Sequence, residues 1–179
     1  MILRAPVVAA VLLSGPIAAS AHERGVPDLL PGTSFRFTAV IDRVTNEDRS
    51  FVVTTTREAP IQSLAFKCLS DGLNVLYAFD EPLAGRDAAI RVRMRFPGRP
   101  PTKWATWGLM AGKRAAYMLG GNVAAFIDEA SRHVSVTLQA VDPRSGKTRT
   151  AAFSINGIDE AVRRLGCYQD LPITNLAMW

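Results

Sequence analysis

Two histidines and two cysteines are all the imidazole and thiol groups that the 179 residues offer. The His-Glu-x-x-His of zinc proteases is missing, and so are the Gly-x-Ser-x-Gly of serine hydrolases and a phosphate-cradling glycine loop. Cys-x-x-Cys, the spacing of a thiol exchanger, does not occur either. No catalytic residue and no cofactor are therefore assigned. The carboxylate pairs Asp80-Glu81 and Asp128-Glu129 sit at loop and helix-surface positions, where solvation is the default. With no histidine or metal beside them they do not bring general-base chemistry by themselves. Charge of one sign is not in great excess: 21 Lys and Arg against 16 Asp and Glu leave +5. That suits an anionic surface and implies no nucleic acid.

Long apolar runs are also lacking. The one near the start, Pro6 to Leu13, is too short to span a bilayer. It follows Arg4, is broken by Gly15-Pro16, and leads to Ala19-Ser20-Ala21, the small-x-small pattern that signal peptidase cuts. Residues 1–21 are thus expected to be a signal peptide, and cleavage would leave His22 first. No lipid-anchoring cysteine follows the cut and no transmembrane anchor is expected. The product is placed in the periplasm if the host is Gram-negative. Export sets the reading of the cysteines, because disulfides persist in oxidising compartments. Cys68 and Cys167 are expected to form a structural staple, worth about 4–5 kcal/mol by loop entropy. Two free thiols or a redox pair are the alternatives.

What is there in quantity is strand pattern. Residues 22–32 (HERGVPDLLPG) have no periodicity and are expected to be a flexible segment or an arm laid on the surface. Thr33 to Val44 alternates, with Phe35, Phe37 and Ala39 on one side. Ser50 to Thr56 is β-branched, and Ile61 to Leu69 puts Leu64, Phe66 and Cys68 on one face. Ser70-Asp71-Gly72 turns the chain into a partner strand, Leu73 to Phe79. Ala89 to Phe96 alternates most cleanly: Ile90, Val92, Met94 and Phe96 inward, Arg91, Arg93 and Arg95 outward. Lys103 to Gly112, Arg114 to Leu119, Val134 to Val141 and Thr148 to Ile155 complete about eight strands.

Two helices are expected. Val123 to Ser131 would be capped by Asn122. A last helix starts at Asn156 or Gly157, with Ile158, Ala161, Val162 and Leu165 as its stripe and Asp159–Arg163 and Glu160–Arg164 as i,i+4 pairs. Residues 169–179 form a tail. The fold expected for 33–168 is one mainly β domain, a sandwich or curled antiparallel sheet with two short packing helices.

Three constellations are candidates for function. The row Arg91, Arg93 and Arg95, followed by Arg99, could grip carboxylates, phosphates or an acidic partner; the plainer reading is the wet face of a strand, protecting a sheet edge. Trp104, Trp107 and Tyr117 could floor a glycan or peptide groove. Because the two tryptophans are three residues apart they face opposite ways, so at least one belongs to the core. Finally, His22 as the first residue of the cut chain would present an amine and an imidazole, which with His133 could hold copper. His133 shares the Ser135-Thr137-Gln139 face, away from the apolar side.

Phe153 to Val162 (FSINGIDEAV), ending in Leu165-Gly166-Cys167, resembles the closing segment of small periplasmic accessory proteins associated with bacterial type VI secretion. Leu64 to Leu69 (LAFKCL) with the strand Leu73 to Phe79 resembles them too. The basic stretch Pro97 to Lys103 and the short tail depart from that pattern. The resemblance implies an envelope accessory role and carries over no catalytic residue. The expected function is non-enzymatic protein–protein contact in the cell envelope, with an envelope protein or anionic surface as partner, and the resemblance implies an association with secretion. A glycan-binding or hydrolytic factor, and a copper protein using His22, are the alternatives.

Overall fold

The computed structural model describes residues 28–83, 87–118 and 122–168. The proposed leader 1–21, His22 and the tail 169–179 lie outside the described residues. Ten strands follow the chain: β1 Asp28–Leu29, β2 Arg36–Thr38, β3 Phe51–Thr55, β4 Ser63–Leu69, β5 Gly72–Ala78, β6 Ala89–Arg95, β7 Ala105–Leu109, β8 Ala115–Met118, β9 Ser135–Val141 and β10 Thr148–Ser154. Helix α1, Val123–Ala130, precedes β9, and α2, Ile158–Val162, follows β10 and leads into a 3₁₀ turn at Gly166–Tyr168. The strands form one sheet in the order β1-β2-β3-β4-β5-β8-β7-β6-β9-β10, antiparallel at every junction. The fold is mainly β with short packing helices, as the alternation predicts.

The sheet curls until its two halves face one another. β10 comes up against β3, the rings of Tyr77 on β5 and Phe153 on β10 lie 5.8 Å apart edge to face, and the hydroxyls of Ser34 and Ser154 meet at 2.6 Å. Phe35, Phe66, Tyr77, Trp107 and Phe153 are fully enclosed between the halves. Helix α1 closes one mouth of this core: Phe126 reaches Phe66 at 6.0 Å and Phe96 at 6.2 Å. The stripe Ile158, Ala161, Val162 and Leu165 is buried as its spacing requires. Beyond α2, Cys167 is bonded to Cys68 of β4, with α-carbons 5.8 Å apart and a sequence separation of 99. The staple therefore ties the end of the domain to an early strand.

Several expectations need correction. The segment 22–32 is not loose over its described part: Asp28–Leu29 pairs with β2 and Leu30 enters the core. Burial of Leu30 fixes it, together with a turn in which the Leu30 N–H donates to the Phe35 carbonyl at 2.9 Å. That turn also shortens the strand expected over 33–44 to Arg36–Thr38, because Ser34 donates to the Asn156 carbonyl at 2.9 Å instead of to a neighbouring strand. Asn122 stands at the start of α1, but its side chain makes no capping bond. Helix α2 is shorter than expected, and of its two ion pairs only Glu160–Arg164 closes among the described residues, at 3.0 Å. Gly157 begins it at φ +75°, where an added Cβ would lie 2.6 Å from Thr33 Cγ2 and 3.1 Å from Thr33 Cα. Both the conformation and the space require glycine there.

Two hairpin-type loops repeat one geometry. Asp42 and Asp142 each accept two backbone N–H bonds, from Val44 and Thr45 and from Arg144 and Ser145, at 2.9–3.1 Å. Each loop then passes through a left-handed residue, Asn46 in one and Gly146 in the other. No helix among the described residues is long and apolar enough to cross a membrane.

Candidate functional site

Strand β6 lies between β7 and β9, inside the sheet. Its arginines therefore do not guard an edge, which corrects that reading. Ile90, Val92 and Met94 point into the core, Arg91 and Arg95 are exposed, and Arg93 is half-buried. Alternation forces this division, since a one-residue slip would drive three guanidinium groups into the core.

Neighbours position each arginine differently. Arg93 stands opposite Gln139 of β9, and its Nε donates to Gln139 Oε1 at 2.7 Å. The Gln139 amide in turn donates to Thr150 Oγ1 on β10 at 3.3 Å. On the other side, the Arg93 guanidinium stacks over the Trp104 ring at 4.5 Å, and Arg91 approaches the same ring at 5.7 Å. A polar ladder thus runs from Trp104 through Arg93 and Gln139 to Thr150. Arg95 stands opposite Thr137. Arg99 is brought alongside by the turn Phe96-Pro97-Gly98-Arg99, closed by the Arg99 N–H on the Phe96 carbonyl at 3.1 Å with Gly98 at φ +73°. Proline then glycine at the two central positions is the signature of a type II turn.

Two recesses open on this face. One of about 530 Å³ is lined by Arg95, the 96–99 turn, Ser135 and Thr137. A second of about 170 Å³ is lined by Arg93, Arg95, Pro101, Thr137, Gln139 and Thr150. They share Arg95 and Thr137 and form one shallow groove, floored by β9 hydroxyl and amide groups and walled by guanidinium groups and the proline-rich turn. No carboxylate lines either recess. Among the described residues, none of Arg91, Arg93, Arg95 and Arg99 forms an ion pair.

Three of the four acids flagged in the sequence, Asp80, Asp128 and Glu129, are engaged elsewhere. Asp80 pairs with Arg149 at 3.2 Å, while Asp128 and Glu129 pair with Arg132 at 2.5 and 3.4 Å. The Asp80 to Asp87 loop therefore gives the row no described acidic partner. Trp104 is 36% exposed and belongs to the site, whereas Trp107 is 1% exposed and belongs to the core. The expected aromatic surface of two tryptophans is corrected to one. Tyr117 lies on β8, two strands from β6, opposite Gly108 of β7, its ring folded across that glycine so closely that a Cβ there would come within 2.4 Å of it.

His133 is not a free polar-face ligand. It is half-buried, stacked on Phe96 with ring centres 4.8 Å apart, and bonded to Glu129 at 3.1 Å, so that, contrary to the expectation, a histidine does stand beside the Asp128-Glu129 pair. No group of three or more His, Cys, Asp or Glu side chains converges among the described residues. A buried pair that no sequence motif marks is Tyr77 and Gln62, the Tyr77 hydroxyl meeting Gln62 Oε1 at 2.5 Å. Burial pushes the Tyr77 phenol well above its ordinary range, which keeps it a neutral donor inside the core.

Ser135, Thr137, Gln139, Thr150 and the Pro97-Gly98 turn complete the groove and were not singled out as site residues. The alternation of Ser135, Thr137 and Gln139 was readable, but its adjacency to the arginine row depends on the β6–β9 pairing.

No family model matches the chain, and no curated protein matches it. Among solved structures, it is similar to invasion associated protein B from Bartonella henselae, at 11% identity and a TM-score of 0.52, over 77% of this chain and 95% of that one. At that identity the likeness is one of fold: the described sheet has a counterpart spanning nearly the whole of the other chain.

Proposed function

We propose that this chain is an exported cell-envelope accessory protein that works without catalysis, by presenting the β6 arginine face to an acidic partner. The observation that carries the reading is the row Arg91, Arg93 and Arg95 with Arg99, held on an interior strand and met by no carboxylate among the described residues. A central strand has no edge to protect, which leaves solvation of the sheet's outer face as the alternative to a partner. The leader-like start and the cysteine pair support a periplasmic setting. The type VI secretion-associated family that the chain resembles is the proposed context. Neither recess brings a carboxylate pair to a tryptophan, so the hydrolytic alternative gains no support. The ring of His133 is occupied by Phe96 and Glu129, which leaves the copper alternative resting on His22 alone.

The test is a pull-down from envelope extract with wild type and R91E/R93E/R95E, after circular dichroism shows both folded. The reading predicts that the variant loses the main partner. Retention of every partner by a folded variant would remove the interaction face.

A further inference from the structure

We propose that the groove along Arg93, Arg95 and Arg99 binds an extended segment of a partner protein that carries carboxylates at alternate positions. The proposal rests on the reading above and names the chemistry of the partner. Guanidinium groups on alternate residues of a strand recur about every 7 Å, and side chains on one side of an extended peptide recur at the same interval. Carboxylates at every second position therefore meet Arg93 and Arg95 in register, with Arg99 continuing the row past the turn. The guanidinium fork takes a carboxylate through two parallel bonds. Ser135 and Thr137 on the floor add hydroxyl donors and acceptors for the backbone of the same segment.

Other polyanions fit the site less well. A glycan would want an open aromatic face to stack upon, but both Arg93 and Arg91 lie against the Trp104 ring. Trp104 therefore acts to hold Arg93 in place. Arg93 is further fixed by Gln139, so its direction is set before any partner arrives. Arg99 depends on Gly98, whose φ of +73° a side-chain-bearing residue adopts with strain although open space surrounds it. That makes Gly98→Ala a way to disturb Arg99 without altering charge or packing.

The experiment titrates the full chain with two capped peptides of one composition, read by fluorescence anisotropy. One alternates Ser and Glu; the other gathers its glutamates in a block. Alternation should give binding about tenfold tighter than the block, a difference of about 1.4 kcal/mol. R93Q/R95Q should bring the alternating peptide down by about tenfold, and G98A should weaken it with net charge unchanged. Should R93Q/R95Q fail to fold, R95Q alone carries the test, since among the described residues Arg95 makes no side-chain bond that the sheet needs. Equal binding of the two peptides, or no effect of R95Q, would overturn the proposal. So would tighter binding of inorganic phosphate or of phosphatidylglycerol vesicles than of either peptide, which would assign the groove to a phosphate-bearing surface. If peptide selection fails while R91E/R93E/R95E still loses its envelope partner, only the extended-segment proposal falls; if both fail, the interaction face falls with it.

Discussion

Strands β5 and β6 are each seven residues long and lie in one sheet with β8 and β7 between them, yet they are buried differently. On β5, Leu73, Asn74, Val75, Leu76 and Tyr77 are all buried, on both faces of the sheet. On β6 the core side is sealed and the outer side carries three arginines. The outer face around β5 is closed by its own neighbours: Lys67 rests over the Phe51 ring at 5.9 Å, and Asn74 is bonded to Asp71 at 2.8 Å. The outer face around β6 has hydroxyls, amides and guanidinium groups arranged around open recesses. One half of the sheet spends both faces on holding the fold, while the other keeps one face free for contact. Four predictions follow the difference between these regions.

The largest effect separates the two tryptophans. Trp107→Ala should cost about 3–5 kcal/mol, the loss of a large enclosed ring, whereas Trp104→Ala on the open face should cost less than about 1 kcal/mol. Urea unfolding of the two variants measures both; equal losses would break the distinction between core and contact face.

Next is the staple. Thiol titration of the unreduced, denatured protein should find Cys68 and Cys167 without free thiols. C68S/C167S should lower unfolding free energy by about 2–5 kcal/mol. The folded fraction should still engage the partner, because the bond lies on the β4 side. Loss of partner binding by folded C68S/C167S would show that the two regions are not separable.

The smallest effect compares the twin aspartate loops. Backbone N–H donors, that of Ser145 foremost, hold the Asp142 carboxyl below its ordinary value of 3.8 against the opposing pull of burial, with Arg149 assisting. Asp42, held low by the Thr45 and Val44 N–H groups, is its less buried counterpart. A depressed folded pKa contributes stability that is complete above the unfolded value and lost as pH falls through the folded one. Wild type should therefore lose stability below about pH 4. D142N should flatten that acid limb more than D42N in urea titrations across pH. A D42N effect equal to that of D142N would remove the role given to the burial of Asp142.

The parts of this molecule legible in the sequence are those set by period and spacing. Alternation placed Arg91, Arg93 and Arg95 opposite Ile90, Val92 and Met94, and a three-residue spacing split Trp104 from Trp107. The two cysteines had one intramolecular partner each. The groove was not legible, because it is made where β6 meets β9 and the Arg93–Gln139 bond joins residues 46 apart. Local pattern names the faces of a strand without naming its neighbour. The same limit hid Leu30 and the 30–35 turn, whose geometry depends on Asn156 and Gly157 across the domain. It also hid the burial of Asn74 and Leu76 together with Val75 and Tyr77, which covers both faces of β5.

The most direct measurement of the central claim is the affinity of the captured envelope partner for wild type and for R91E/R93E/R95E, titrated at low and at physiological salt. Clustered charge that recruits an acidic partner should bind more tightly at low salt, since screening acts over about 8 Å at physiological ionic strength. The account predicts that wild type shows this dependence and that the charge-reversed protein, folded to within about 1 kcal/mol of wild type, binds weakly at both salts. Equal affinity of the two proteins, with no dependence on salt, would contradict it.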